Sequence, residues 1–238
     1  MLRFYGLRVL KDYLGHIILL GLPIVLITLM VVINREAAPD SVEEAALFIG
    51  LAYILMFHGF GAAYTFEGIE HDFFSAFKDR LRASPVNPMR FVLANLSFSI
   101  VTSFLQTLVL VVFIVLAFEV RIAQWPLVLG VLLMSVVFIQ LFAAVLILCM
   151  KKTAKAQALM IAYIILSMFA AGLFFPLPQT AITEFLAKYS SPLAWTHRAL
   201  YGVMESSLAQ ALIGVGLLSA AILFVAAIAY RLSRRVAT

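Results

Sequence analysis

The amino-acid sequence predicts an all-α membrane protein of six transmembrane helices, and three observations carry that expectation. Of its 238 residues, 64% are hydrophobic and 12% charged, with a mean hydropathy of +1.08. A soluble domain needs roughly 25% charged residues to clothe its surface. Six runs, at about 16–33, 45–66, 91–118, 127–150, 156–175 and 208–230, contain no Asp, Glu, Lys or Arg. A bilayer crossing takes ~20 apolar residues, and each charge at a helix centre costs ~2.5–3.5 kcal/mol on insertion. The runs are continuous, whereas barrel strands alternate apolar and polar over ~10 residues, so a β-barrel is excluded.

The elements follow in chain order within a single transmembrane domain, 1–238. Segment 1–15 sets Leu2, Tyr5, Val9, Leu10 and Tyr13 on one helical face and Arg3, Arg8, Lys11 and Asp12 largely opposite. That pattern suits an interfacial helix in the membrane plane; the alternative is a cytoplasmic extension of the first span. The basic residues before the first run mimic a signal peptide, but no small-residue cleavage site follows, so the span is read as retained. Pro23 is expected to kink it.

Two connections exceed simple turns. In segment 67–90, a helix is expected from Asp72 onward, with Phe73, Phe74, Phe77 and Leu81 on one face and Asp72, Ser75, Lys78, Asp79 and Arg82 on the other. Ser84 and Pro85 stop it. Such a helix is either a docking surface or an ordinary solvated interfacial helix. Segment 176–207 is apolar yet broken by Pro176, Pro178 and Pro192; Thr180 can cap a short helix bearing Ile182, Phe185, Leu186 and Tyr189, and 193–203 can form another. Neither can span, and backbone entering the leaflet must pair its donors. A partly re-entrant helical lid is expected, with a surface-lying loop as the alternative.

Thirteen of the 17 Lys and Arg fall in 1–15, 67–90, 151–155 and 231–238. The positive-inside bias therefore places these segments, and both termini, in the cytoplasm. No basic run interleaved with aromatics points to nucleic acid. Cys149 is the single cysteine, which excludes an intrachain disulfide or a cysteine metal cluster. His16, His58, His71 and His197 fall at separate levels of this topology and are not expected to gather around a metal. His58, beside Gly59 and Gly61 within a span, reads as a neutral hydrogen-bonding residue at a helix contact.

No phosphate loop, H-E-x-x-H site or nucleophile elbow occurs in the sequence, so no catalytic residue is assigned and no ATP hydrolysis by this chain is expected. The runs also lack the acidic residue or buried charge pair typical of ion-driven transporters. A transporter built this way needs an outside motor; a motor-independent channel or an accessory immunity protein is the competing class. The polar content of the spans concentrates in the third, where Asn95, Ser99, Thr102 with Ser103, and Gln106 recur at three-to-four-residue spacing. That stripe either faces a substrate path, together with His58, or bonds helix to helix.

The ordered combination of Glu67-Gly-Ile-Glu70-His-Asp72, then Lys78-Asp79-Arg80-Leu81-Arg82-Ala83-Ser84-Pro85, then Gly172-Leu-Phe-Phe-Pro176-Leu-Pro178 and Ser191-Pro192 resembles type-2 ABC-transporter permeases over essentially the whole chain. The resemblance implies a coupling helix around 72–82 seated in a separate ATP-binding subunit. Glu67, Glu70 and Asp72 would lie at the inner gate, and Lys78, Asp79, Arg80, Arg82, Ser84 and Pro85 near the ATPase contact. It implies two ATPase chains, which use ATP and Mg, and a second permease chain, identical or related; this chain binds no cofactor of its own. The chain departs from the commonest form of the signature in having Gly68 directly after Glu67 and Phe73-Phe74 later. Asp79 to Pro85 is most similar to bacterial drug and antibiotic exporters, with polysaccharide and teichoic-acid exporters sharing the architecture. The apolar spans fit an amphiphilic substrate met within the membrane or cytoplasm.

Overall fold

The computed structural model describes residues 13–37, 42–82, 88–122, 124–173, 178 and 180–237. Among these residues every regular element is helical. The first span is α1 (Tyr13–Ala37), which continues past Pro23. The second is made of α2 (Val42–Phe60) and α3 (Ala63–Phe74), and a short α4 (Phe77–Arg82) follows it. Then come α5 (Pro88–Phe118), α6 (Trp125–Met150) and α7 (Thr153–Ala170), the third to fifth spans. Two shorter helices, α8 (Ala181–Tyr189) and α9 (Pro192–Met204), precede the last span, α10 (Leu208–Ala237). Among the described residues, six helical segments are long and apolar enough to cross a membrane. The protein is an all-α, multi-pass membrane protein.

The spans differ sharply in how much of their apolar surface meets protein. In the second and fourth spans 61% of the most apolar window is buried, against 17% in the first and sixth. These two central helices organise the bundle, and the outer ones present Ile17, Val25, Leu116, Leu223 and Phe224 outward, toward lipid. Because lipid tails are as apolar as leucine, helices here associate through close packing and hydrogen bonds and gain little from the hydrophobic effect. Two apolar clusters result. One gathers Phe66, Ile69, Phe73, Leu96, Ile147 and Met160 toward the α4 end, and the other gathers Ile27, Ile54, Leu110, Leu132, Leu193 and Leu200 toward the opposite end.

The helix expected from Asp72 onward is divided. Ser75 sits in extended backbone (φ −103°, ψ −177°) at the end of α3. Its hydroxyl donates to the His71 carbonyl and accepts from the Phe77 amide at 3.1 Å, so the side chain replaces the helical ladder at this step. The second span consequently runs on from Phe66 to Phe74, and only Phe77–Arg82 forms a separate helix. The aromatic stripe is divided with it: Phe73 is buried in the core, while Phe74 and Phe77 pack against its edge. The fifth span starts at Thr153 and its helix ends at Ala170, short of Phe175. The interfacial helix expected in 1–15 falls, up to residue 12, outside the described residues.

Between the fifth and sixth spans the two expected short helices are present. Thr180 caps α8 in a capping box with Thr183, and Ser191 caps α9 by accepting from the Ala194 amide at 3.2 Å, with Pro192 at the first helical position. Helix α8 buries none of its residues, leaving Ile182 and Phe185 outward. Helix α9 instead packs on α10 and α6 and buries Leu193, Ala199 and Leu200. The α9–α10 approach is backbone to backbone: a Cβ added at Gly202 would lie 2.4 Å from the Ala211 nitrogen, and one at Gly214 2.6 Å from the Trp195 carbonyl oxygen. Arg198 fastens the unit by donating from Nε to Gln210 at 2.8 Å while its guanidinium covers the Tyr189 ring at 4.8 Å.

His197 packs tilted against Tyr201, 4.5 Å between ring centroids, and meets Phe48 in a T-shaped contact at 5.6 Å, so α9 holds a ring against α2. Burial pushes this imidazole down from 6.5 to about 4. The unfolded chain therefore takes up the proton first as pH falls, and folded stability declines between about pH 6.5 and 4. The thermal midpoint in neutral detergent should drop across that window in wild type, and His197→Phe should flatten that slope; an unchanged slope in the variant contradicts the assignment.

Candidate functional site

Two groups of residues stand out as functional candidates: the end of the molecule around α3 and α4, and a polar seam through the bundle's middle. At the first, Glu70 on α3 accepts the Thr153 amide at 2.7 Å. Lys152, the residue flanking α7, contributes no side-chain cap of its own. A carboxylate from another helix thus satisfies one of the orphan donors at the α7 start and complements the positive end of its dipole. Such caps contribute about 0.5–2 kcal/mol. The consequence is mechanical: the segment leading into α4 is fastened to the start of the fifth span.

Asp72 is buried, with His71 Nδ1 at 3.2 Å from its carboxylate, and the His71 ring lies 5.3 Å from that of Phe77 across the Ser75 turn. Glu67 is exposed on α3. On α4, Asp79 is exposed and Lys78 half-buried. The side chains of Arg80 and Arg82, and both Ser84 and Pro85, fall outside the described residues. The structure therefore brings Glu70, Asp72 and Lys78 to one end of the second span but divides them between two helices. In the segment between the fifth and sixth spans, Pro192 opens α9 and Pro178 is exposed ahead of α8, whereas Pro176 falls outside the described residues.

The seam begins where the second span is interrupted. At Gly61 and Ala62 the α-helical ladder gives way to turns, with Ala62 bonding back to the Gly59 carbonyl at 3.3 Å. The Gly61 carbonyl accepts from the Tyr64 amide at 3.4 Å and also from Gln140 Nε2 of α6 at 3.2 Å. The same amide nitrogen donates to Ser103 Oγ of α5 at 2.8 Å, and Gln140 Oε1 accepts from the Thr65 hydroxyl of α3 at 2.6 Å. Gln140 has no exposed surface, so this one amide closes the break and joins three helices.

One turn away, His58 bridges Thr107 (Nε2 to Oγ1, 2.9 Å) and Ser135 (Nδ1 to Oγ, 3.1 Å). The Thr107 hydroxyl donates its only proton to the Ser103 carbonyl at 2.9 Å, so it must accept from His58 Nε2. In the neutral ring Nδ1 then accepts from Ser135. His58 is thus a hydrogen-bonded helix contact, as its glycine neighbours suggested.

Toward the α1 side, Gln106 Nε2 lies 3.1 Å from His16 Nδ1 and 3.2 Å from Tyr64 Oη, and Tyr64 is 3.0 Å from the same imidazole nitrogen. Asn95 and Ser99 are buried, Asn95 against Gly68, where an added Cβ would sit 1.6 Å from its amide nitrogen; Thr102 is half-exposed. The partners that the stripe finds within this chain are those of interhelical bonding. Gln140, Ser135, Thr65 and Tyr64, which carry no periodic signal in the sequence, complete the network together with Thr107, four residues on from Ser103.

A model of ABC-2 family transporter proteins matches residues 32–231. The chain belongs to that family. No curated protein matches it in sequence. As an ABC-2 permease the chain is a transport subunit embedded in the membrane, not the ATPase, and the family works with a separate ATP-binding subunit in a dimeric arrangement. The matched region takes in five of the six spans, α4 and both short helices, leaving out most of the first span.

Removing the central amide tests the seam of this permease. Gln140→Leu leaves the Thr65 and Ser103 hydroxyls without this partner in a dry interior, at about 1–3 kcal/mol for each buried group left unpaired, and leaves the Gly61 carbonyl only its 3.4 Å turn bond from the Tyr64 amide. The variant's thermal midpoint in detergent should fall by several degrees, and an unchanged midpoint would show that the two hydroxyls have other partners.

Proposed function

We propose that this chain is the permease of an ATP-driven exporter in a bacterial cell membrane, moving an amphiphilic drug, antibiotic, peptide or lipid-like substrate outward. ATP and Mg are consumed in a separate pair of ATP-binding subunits, and a second permease chain, identical or related, completes the path. Both termini and α4 face the cytoplasm, in keeping with the basic residues concentrated in those segments.

The observation that carries the reading is the short helix α4, set off from the second span by the Ser75 turn and following a span end that is itself tied to α7. The middle of each crossing holds no fixed charge with which to couple to an ion gradient; the carboxylates Glu67, Glu70 and Asp72 all sit at the α4 end. Force from outside the membrane entering at α4 reaches the second span directly and the fifth through Glu70. Outward direction is supported by the similarity of Asp79 to Pro85 to drug exporters, and an amphiphilic substrate by the apolar lining that these spans offer.

Charge reversal at the proposed contact is the test. Lys78, Arg80 and Arg82 all changed to Glu should abolish co-purification with the ATP-binding partner, or cut its permease-stimulated ATP turnover at least tenfold, while the permease keeps its wild-type melting temperature. Unaltered complex formation and turnover would contradict the assignment of α4 as the lever.

A further inference from the structure

At the far end of the second span from α4, where α1 ends, α2 begins and α9 closes over them, the bundle opens into a cavity of about 530 Å³. Small-molecule sites occupy ~300–1,000 Å³. Its wall is of two kinds. Leu47, Phe48, Met204 and the ring of Tyr201 form an apolar and aromatic side, and the carboxylates of Glu44 and Glu205 stand at its edge. Neither carboxylate has a hydrogen bond or ion pair among the described residues, whereas the adjacent Glu43 is engaged with the Arg121 amide at 2.9 Å.

The aromatic side is braced. Tyr201 is backed by the His197 ring, tilted 36° to it with centroids 4.5 Å apart, and meets Phe48 at 69° with centroids 6.3 Å apart, so the rings are held in place before anything binds. Burial, and to a smaller extent Glu205 and Glu44, push the Tyr201 phenol up to about 12.

We propose that this cavity is a binding site for an organic cation with an apolar body. The two carboxylates attract the charge, the ring face adds a cation–π contact worth ~0.5–2 kcal/mol, and the leucine, phenylalanine and methionine side chains take up the hydrophobic remainder. An anion meets two like charges here. A bare Ca²⁺ or Mg²⁺, which wants six or more oxygens, meets a wall that is mostly carbon. The site stands apart from the seam and from α4, and its assignment does not rest on the direction or energy source of transport. The cation's source is either a free molecule or the headgroup of an aminolipid from the surrounding leaflet, since both offer the same chemistry.

The experiment is equilibrium dialysis of the full chain in neutral maltoside micelles against tetraphenylphosphonium and against tetraphenylborate, two ions of one shape and opposite charge, each corrected for empty micelles. Saturable binding of about one tetraphenylphosphonium per chain, with none of tetraphenylborate, is expected. Glu44→Gln with Glu205→Gln should weaken that binding at least tenfold, the single variants by smaller steps, and Glu43→Gln not at all; the single variants serve if the double variant loses its fold. Added phosphatidylethanolamine that competes, where phosphatidylglycerol does not, identifies a lipid amine as occupant, and the lack of such competition identifies a free cation. Equal saturable binding of the borate, no saturable binding of either ion, or wild-type affinity in every Gln variant would overturn the proposal.

Discussion

Hydrocarbon offers no water to a stranded polar group, and that constraint governs how this bundle is put together. A helix break in the middle of a span exposes backbone carbonyls that must find partners within protein. The break at Gly61 finds its partner in Gln140, and this single requirement draws the second, third and fourth spans into contact. Ser135, lying between Leu132 and Phe138 on α6, marks the level at which the two apolar clusters meet, and His58 fills the gap with both ring nitrogens engaged. The two most buried spans are accordingly the ones joined by these bonds.

The same constraint separates chemistry from mechanics. Carboxylates are confined to span ends, where Glu70 takes on a structural task at the α7 start and Asp72 is buried beside His71. The span that carries the break also carries α4 at one end and borders the aromatic cavity at the other. Between these ends the span is interrupted at Gly61, and the interruption is bonded to its neighbours through Gln140.

Much of the fold was legible because insertion energetics write it directly into residue choice: six uncharged runs gave six crossings, Thr180 announced the cap of one short helix, and the run 193–203 announced a second, whose Ser191 cap was not foreseen. Helix ends were less legible. The continuation to Phe74 and the turn at Ser75 depend on a serine whose side chain replaces a backbone bond, and a serine within a helical pattern carries no mark of that choice. Of the site, the stripe Asn95, Ser99, Ser103 and Gln106 showed through its spacing, while its partners did not. Gln140 and Ser135 are isolated polar residues in a long apolar run, and the cost of burying an amide there was the one signal that pointed to a partner across the bundle. The cavity at Glu44 and Glu205 joins residues far apart in sequence and has no linear trace.

The account stands on the claim that these helices, lacking fixed charge at mid-membrane, move only when a nucleotide-driven partner moves them. The most direct measurement is passage of a fluorescent amphiphile across sealed vesicles containing this permease, with and without its ATP-binding partner and ATP. The account predicts transport only when partner and nucleotide are both present. Steady transport in vesicles that hold the permease alone would contradict it.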